Sequence, residues 1–208
     1  NIMNNNSHII NISNSRKNIL DILEKRNFNV TNYKNDGINE VAILLEQNQL
    51  DMLCESSINK IYIKYYINKV LKSPNIYEII EDLFYLENIL EKKDDLIIVI
   101  KDEPNDTLIQ TVKDIWMNEN IYISLLTIKS LQFNILEHSL VPKHTILNDK
   151  EEEEFRKQYN ILDNTQIPTI SYFDPVSLVL GIRPDNIVKI ERYSRTSINS
   201  LYYRICKI

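Results

Sequence analysis

The sequence predicts an α/β layer domain followed by a smaller α+β unit, and three observations carry that prediction. Two aliphatic runs that do not alternate, at 96–100 and 121–126, read as strands buried on both faces. Segments with helical spacing of apolar residues precede and separate them, and the order helix, strand, helix, strand implies parallel pairing through right-handed crossovers. After Phe133 the texture changes: prolines come closer together, at Pro142, Pro168, Pro175 and Pro184, and the elements shorten. The expected divisions are a tail over 1–14, an α/β domain over 15–133 and an α+β domain over 134–208.

Residues 1–14 are rich in asparagine, hold no sustained period and lack the basic flank and apolar block of a signal peptide, so a floppy tail is expected. From Ser15, residues Ile19, Leu20, Ile22 and Leu23 share one broad helical face, and the helix should stop near Asn27. Asp36-Gly37 marks a turn, after which Ile38, Val41, Leu44 and Leu45 keep helical spacing. The stretch 58–67 is β-branched and aromatic, with Ile61, Ile63 and Tyr65 on one side, and predicts a strand. Pro74 suits a first helical turn, and an apolar stripe from Ile76 to Leu90 carries that helix to the charges at 92–95. Asp106 is the expected cap of a helix running to about Trp116. In the second domain a charged helix is expected over about 149–159, with strands around 187–192 and 201–205.

Composition removes several classes of function. At 208 residues, 43% hydrophobic and 25% charged, the chain can bury a core without disulfides or metals, and its longest aliphatic run falls far short of the ~20 residues of a spanning helix. A soluble protein is expected. Two cysteines, Cys54 and Cys206, and three histidines, His8, His138 and His144, are too few for a four-cysteine zinc site or a disulfide framework, so an intracellular reducing compartment is expected. Two glycines, Gly37 and Gly181, cannot supply a Walker loop or a dinucleotide fingerprint, and no cofactor is expected. The net charge of -5 has the wrong sign for holding nucleic acid alone. The excess lies wholly in the first domain, with 14 basic and 19 acidic residues, whereas the second balances ten with ten. Isoleucine and asparagine crowd the chain while alanine occurs once, at Ala42, a skew towards A/T-rich codons. On that reading the asparagines carry little information outside the N-terminus.

No constellation in the sequence points to catalysis. His138 and His144 are six residues apart around a proline, without helical ligand spacing or a nearby cysteine, and read as a turn at the domain junction. No Ser or Cys sits in a glycine-flanked nucleophile elbow. Glu151 to Glu154 point in different directions on a helix and read as a solvated first turn favoured by the helix dipole, capped by Asn148 or Asp149. Lys60, Lys64, Lys69 and Lys72 interleave with Tyr62, Tyr65 and Tyr66, which could serve a nucleic-acid surface, but Tyr62 and Tyr66 alternate with the apolar face and a strand with one wet side is the preferred reading. Arg183, Lys189, Arg192, Arg195 and Arg204 lie in a short unit of zero net charge. They suit bidentate pairing, either with a protein partner or internally with Asp174 or Glu191.

The last third carries an ordered set of motifs: Glu137-His-Ser-Leu-Val-Pro-Lys-His144, Tyr159-Asn-Ile-Leu162, Gln166-Ile-Pro168, Asp174-Pro-Val176, Leu180-Gly181, Val188-Lys-Ile190, Ser194, Thr196 and Tyr203-Arg-Ile-Cys206. In this order and spacing residues 134–208 closely resemble the fifth subunit shared by eukaryotic nuclear RNA polymerases and the shorter archaeal counterpart of that subunit. The resemblance implies a non-catalytic subunit of DNA-directed RNA polymerase. Its C-terminal domain would be an assembly domain docking on the largest subunit beside small neighbouring subunits, and its α/β domain a jaw-like domain near downstream duplex DNA, bound weakly and only within the complex. Partner-binding candidates are His138, Pro142, Lys143, His144, Asp174, Pro175, Gly181, Ser194, Thr196 and Arg204 from the motifs, with Arg183 and Arg192 from the set of arginines in this unit. Lys60, Lys64, Lys69 and Lys72 are the DNA-proximal candidates. The first 133 residues match by architecture alone. Archaeal members of the family lack that domain, so the two-domain length and the A/T bias imply a eukaryotic or viral polymerase, nuclear in a cell or carried in a virion and the host cytoplasm.

Two departures touch turns. Where the family has a glycine after Pro184, this chain has Asp185, and Pro-Asp favours a type I turn with negative φ. Where the family has Ser-x-Thr-Ala-Gly, this chain reads Ser194-Arg-Thr-Ser-Ile198. The rival readings are a metal-dependent nuclease on a restriction-endonuclease-like scaffold and a free-standing regulatory adaptor. The nuclease needs an Asp and a Glu-x-Lys-type pair on adjacent strands, which 58–67 and 96–126 do not supply.

Overall fold

All six residues of β3 (Asp95–Ile100) and all six of β4 (Tyr122–Thr127) are buried, which requires cover on both faces of their sheet. The structure, a computed structural model, describes residues 2–193 and 200–208, and the chain divides into two compact units, Asn1–Asn134 and Ile135–Ile208. The departure at 194–198, with Ser194 and Thr196, lies outside the described residues.

In the first unit α1 (Ile2–Lys25) and α2 (Ile38–Glu46) precede β1 (Met52–Glu55) and β2 (Lys60–Tyr66). Next come α3 (Ser73–Ile80), continued by a π-helical segment at Glu81–Leu86, then β3, α4 (Asp106–Glu119) and β4. The sheet order is β1-β2-β3-β4, with β2, β3 and β4 parallel and β1 antiparallel at the edge. Helical crossovers through α3 and α4 make the parallel pairing possible. Ile61, Ile63 and Tyr65 do face one way and are buried. Asn105 rather than Asp106 caps α4, its side chain accepting from the Leu108 N–H at 2.9 Å.

The expected tail over 1–14 is instead the start of α1. The core-facing stripe begins at Ile12, which is fully buried, and Ser15 Oγ donates back to the Ile12 carbonyl at 2.7 Å. A helix nucleated by that packing extends N-terminally at little cost per residue. Two arginines then tie α1 to the rest of the unit. Arg16 pairs with Asp36 at 2.8 Å and reaches the Leu50 carbonyl, and Arg26 pairs with Asp95 at 2.7 Å. Asp95 opens β3 with its side chain only 3% exposed, and next to it Asp94 accepts from the Lys60 and Glu91 N–H groups, each at 2.7 Å.

The second unit comprises β5 (Lys143–Ile146), α5 (Asp149–Gln158), β6 (Thr169–Ser171), α6 (Pro175–Leu180), β7 (Ile187–Arg192) and β8 (Ser200–Lys207). Its sheet runs β5-β7-β8-β6, with β6 parallel to β8 and the other pairs antiparallel. One face meets α5 through Phe155, Ile167, Ile187 and Ile205, and the Phe155 ring stacks on Tyr203 at a centroid distance of 4.1 Å. On the other face lie Val188, Ile190, Cys206 and Ile170, with Cys206 Sγ 3.8 Å from the carbonyl of Ile182 just past α6. Burial pushes the Cys206 thiol up to about 12, and likewise pushes Cys54 on β1 up to about 11.

Asparagine carries more structure than its abundance suggests. Asn27, Asn48, Asn88, Asn120 and Asn160 all hold positive φ, between 51° and 65°, at or just past helix ends. At three of them the next residue's N–H reaches back five residues: Phe28 to Leu23, Gln49 to Leu44 and Ile161 to Arg156. Ile182 makes the same closure to Ser177 after Gly181, whose φ is 71°. With two glycines in the chain, asparagine, the residue that tolerates the left-handed region best after glycine, closes the helices instead.

Asp185 also has positive φ, 68°, against the negative value expected. The N–H of Asn186 bonds the Arg183 carbonyl at 3.1 Å, and the Asp185 N–H bonds the carbonyl of Cys206 at 2.9 Å. Together with the positive φ this is a type II turn, imposed by docking onto the end of β8 rather than by local preference. Asp185→Gly should therefore stabilise the chain by about 0.5 kcal/mol, since relief of left-handed strain outweighs the added unfolded-chain entropy and the exposed Lys207 pair at 2.5 Å. A lower denaturation midpoint for this variant would refute the assignment. Asp95→Ala removes the 2.7 Å charged hydrogen bond that joins Arg26 to the start of β3 and should cost about 1.5 to 3 kcal/mol in chemical denaturation; a loss under about 1 kcal/mol would show that the pair contributes little.

A groove on the second unit

Residues directly opposite each other on paired strands send their side chains to the same face. The pairs His144 with Ile190, Ile190 with Tyr202, and Val188 with Arg204 therefore put His144, Tyr202 and Arg204 on one face, together with Arg192 two residues beyond Ile190. That face is the floor of a groove of about 380 Å³. Its walls include Leu140, Val141 and Pro142 from the loop before β5 and Asp174 and Val176 from the start of α6.

Four polar side chains of the groove are held in place. His144 Nδ1 lies 2.7 Å from the Pro142 carbonyl, and because a carbonyl only accepts, Nδ1 carries the hydrogen and Nε2 is left over. The Arg192 guanidinium sits 5.4 Å from the centroid of the Tyr202 ring, within cation–π range. Arg204 donates one N–H to the Thr169 carbonyl at 2.8 Å. Neither arginine pairs with a carboxylate among the described residues. The internal partners considered from sequence are engaged elsewhere. Asp174 accepts from the Val176 N–H at 2.9 Å as the cap of α6, and Glu191, on the opposite face, is approached by Lys143 at 3.7 Å and Lys189 at 3.9 Å.

The groove thus collects Pro142, His144, Asp174, Arg192 and Arg204 from the sequence candidates. It does not include His138, whose Nδ1 accepts from the Leu140 N–H at 3.2 Å, or Lys143 on the opposite face. Pro175 starts α6, Gly181 closes it, and the Arg183 N–H bonds the Asn186 side chain at 3.0 Å in the type II turn. Sequence reasoning missed Tyr202 and Leu140. The signal for Tyr202 was present, since it stands two residues before Arg204 on one strand and must share its face. Among the described residues no three His, Cys, Asp or Glu side chains converge as metal ligands would, and no helix is long and apolar enough to cross a membrane.

The lysines of the first unit are placed differently. Lys60 pairs with Glu55 at 3.3 Å and Lys64 with Asp51 at 2.6 Å, while Asp51 also takes the Tyr62 hydroxyl at 3.3 Å. Burial, then the Asp51 charge, holds the Tyr62 phenol well above its ordinary range, so it stays a neutral donor. Lys69 and Lys72 are exposed between β2 and α3, where the Lys72 N–H bonds the Asn75 side chain at 3.2 Å. Two of the four cations are thereby neutralised within the unit. Asp94 and Asp95, the carboxylates at the start of β3, are committed to backbone N–H groups and to Arg26, and no nuclease constellation forms there. The isolated protein should bind duplex DNA no tighter than the ~10⁻⁴ to 10⁻⁶ M of non-specific binding at physiological salt. Submicromolar, sequence-independent binding in fluorescence anisotropy would refute this.

The second unit is thus a mixed four-stranded sheet that presents an open groove bordered by two arginines with donors to spare. The family described as RNA polymerase Rpb5, C-terminal domain, matches residues 133–206. Proteins named DNA-directed RNA polymerase subunit Rpo5 are similar over about a third of the chain. That of Thermococcus kodakarensis is 42% identical over 74 residues, which is 36% of this chain and 89% of the relative. That of Nitrosopumilus maritimus is 42% identical over 76 residues, 36% of this chain and 90% of the relative, and that of Archaeoglobus fulgidus 40% over 75, with 36% and 97% covered. The chain belongs to this Rpo5/Rpb5 family of DNA-directed RNA polymerase subunits.

Proposed function

We propose that the chain is a non-catalytic subunit of a multisubunit DNA-directed RNA polymerase in which the second unit docks on the largest subunit and contacts its small neighbours. The observation that carries this reading is the coincidence of two boundaries. The match to the Rpb5 C-terminal domain family spans residues 133–206, and the second compact unit spans Ile135–Ile208. The archaeal relatives are little longer than the matched segment, so a unit of this size is all they bring to their polymerases. The first unit, acidic and with two of its four singled-out lysines internally paired, is the jaw-like part near downstream DNA, touching duplex weakly and only within the assembled enzyme. Its presence beside the archaeal-type unit supports a eukaryote-type polymerase, acting in the nucleus of a cell or, in a virus, in the virion and the host cytoplasm.

Coexpression of tagged fragments with the largest polymerase subunit tests the division of roles. Residues 135–208 should be recovered with that subunit as fully as the whole chain is, and residues 1–134 should not. Recovery by the first fragment alone would reverse the roles, and recovery by neither the fragments nor the whole chain would remove the reading.

A further inference from the structure

The groove on the β7–β8 face has a chemistry that defines what fills it. Its apolar floor is made by Ile170 and Ile190 with Val176 on the wall beside them, each at most 8% exposed, whereas Leu140, also on the wall, is 83% exposed and offers an aliphatic contact with nothing over it. Two guanidinium groups border this floor, fixed by different anchors: Arg192 over the Tyr202 ring and Arg204 at the Thr169 carbonyl. A guanidinium has five N–H donors, and Arg204 spends one of them. Arg192 and Arg204 stand four residues apart in register along the sheet, about 13 Å by strand rise, so each calls for its own acceptor. His144 Nε2 adds a third polar position. The Asp174 carboxylate is held at the groove edge by its capping bond and disfavours a polyphosphate backbone there.

We propose that this groove takes up a segment of a partner polymerase subunit in which at least two carboxylates flank aliphatic side chains, the carboxylates pairing with Arg192 and Arg204 and the aliphatic groups covering Ile190 and Leu140. The proposal rests on the reading of the second unit as the docking module and adds to it the surface and the sequence character of the bound segment. Pairing a partner carboxylate with a guanidinium already held in place needs little further ordering, and Arg favours such bidentate contacts over a point charge.

The test uses the full chain with a photocrosslinking amino acid at position 140, coexpressed with the two large polymerase subunits, followed by sequencing of the crosslinked peptide. The expected peptide comes from a polymerase subunit and holds at least two Asp or Glu residues close to an aliphatic crosslinked residue. Arg192→Glu and Arg204→Glu, each confirmed folded by its thermal transition, should lower the crosslink yield at least about tenfold. The charge-preserving Arg192→Lys should retain most of it, and the same reversal on α5, Lys150→Glu, should leave it unchanged. If the chain is recovered stoichiometrically with the large subunits but crosslinks to a basic segment, to nucleic acid, to a second copy of itself or to nothing, the groove proposal fails while the assembly reading stands. If the unsubstituted chain is not recovered with them at all, both fail.

Discussion

The pairing of Val188 with Arg204 and of Ile190 with Tyr202 is the constraint on which the whole second unit depends. Side chains alternate along a strand, so a slip of one residue between β7 and β8 would bury Arg204 against α5 and expose Ile205. The register is held from one end. The type II turn at Asp185 bonds the Cys206 carbonyl, the Cys206 N–H bonds the Asn186 carbonyl at 2.9 Å, and the Ile205 N–H bonds that of Pro168 at 2.9 Å. Three backbone contacts at the tight end of the ladder thus determine which side chains meet α5 and which meet the groove, and they explain why an aspartate is held in a conformation that glycine would take more easily.

The first unit depends on charge rather than on a turn. Arg16 and Arg26 reach from α1 to Asp36 and Asp95, so the long helix is tied both to the α2 approach and to the opening of a central strand. A buried pair of this kind is weak evidence of net stability, because desolvation opposes the Coulomb gain. Its effect is positional: a helix shifted by one residue along the sheet would carry the Arg26 guanidinium away from the buried Asp95 carboxylate.

Several elements were legible in the sequence because a buried apolar run, a helical period or a turn signal marks each of them, although the first half of α1 was not. The runs at 96–100 and 121–126 became β3 and β4, Asp36-Gly37 announced α2, and 187–192 became β7. The short strands were not legible. The four residues of β1, the four of β5 and the three of β6 are too few to show alternation, and they are strands because β2, β7 and β8 offer them an edge. The positive φ of Asp185 was misread for a related reason, since a tertiary backbone contact overrode a local preference. At the groove, residue type pointed to Arg192, and residue type together with the last motif pointed to Arg204. Asp174, Pro175 and Gly181 were marked with them because an ordered motif does not distinguish the residues that build a helix from those that meet a partner, and here they cap, start and close α6.

The cysteines have a consequence of a different kind. Cys54 lies on β1 of the first unit and Cys206 on β8 of the second, both fully enclosed, with thiols that burial keeps protonated at neutral pH. A thiol reagent can reach either one only through an opening of its own unit, because the thiolate is the reactive form and the native state withholds both access and ionisation. The chain therefore carries one natural opening reporter in each half. The rates at which the two sites become labelled under native conditions separate the motions of the acidic α/β unit from those of the polymerase-type unit, with no engineered probe.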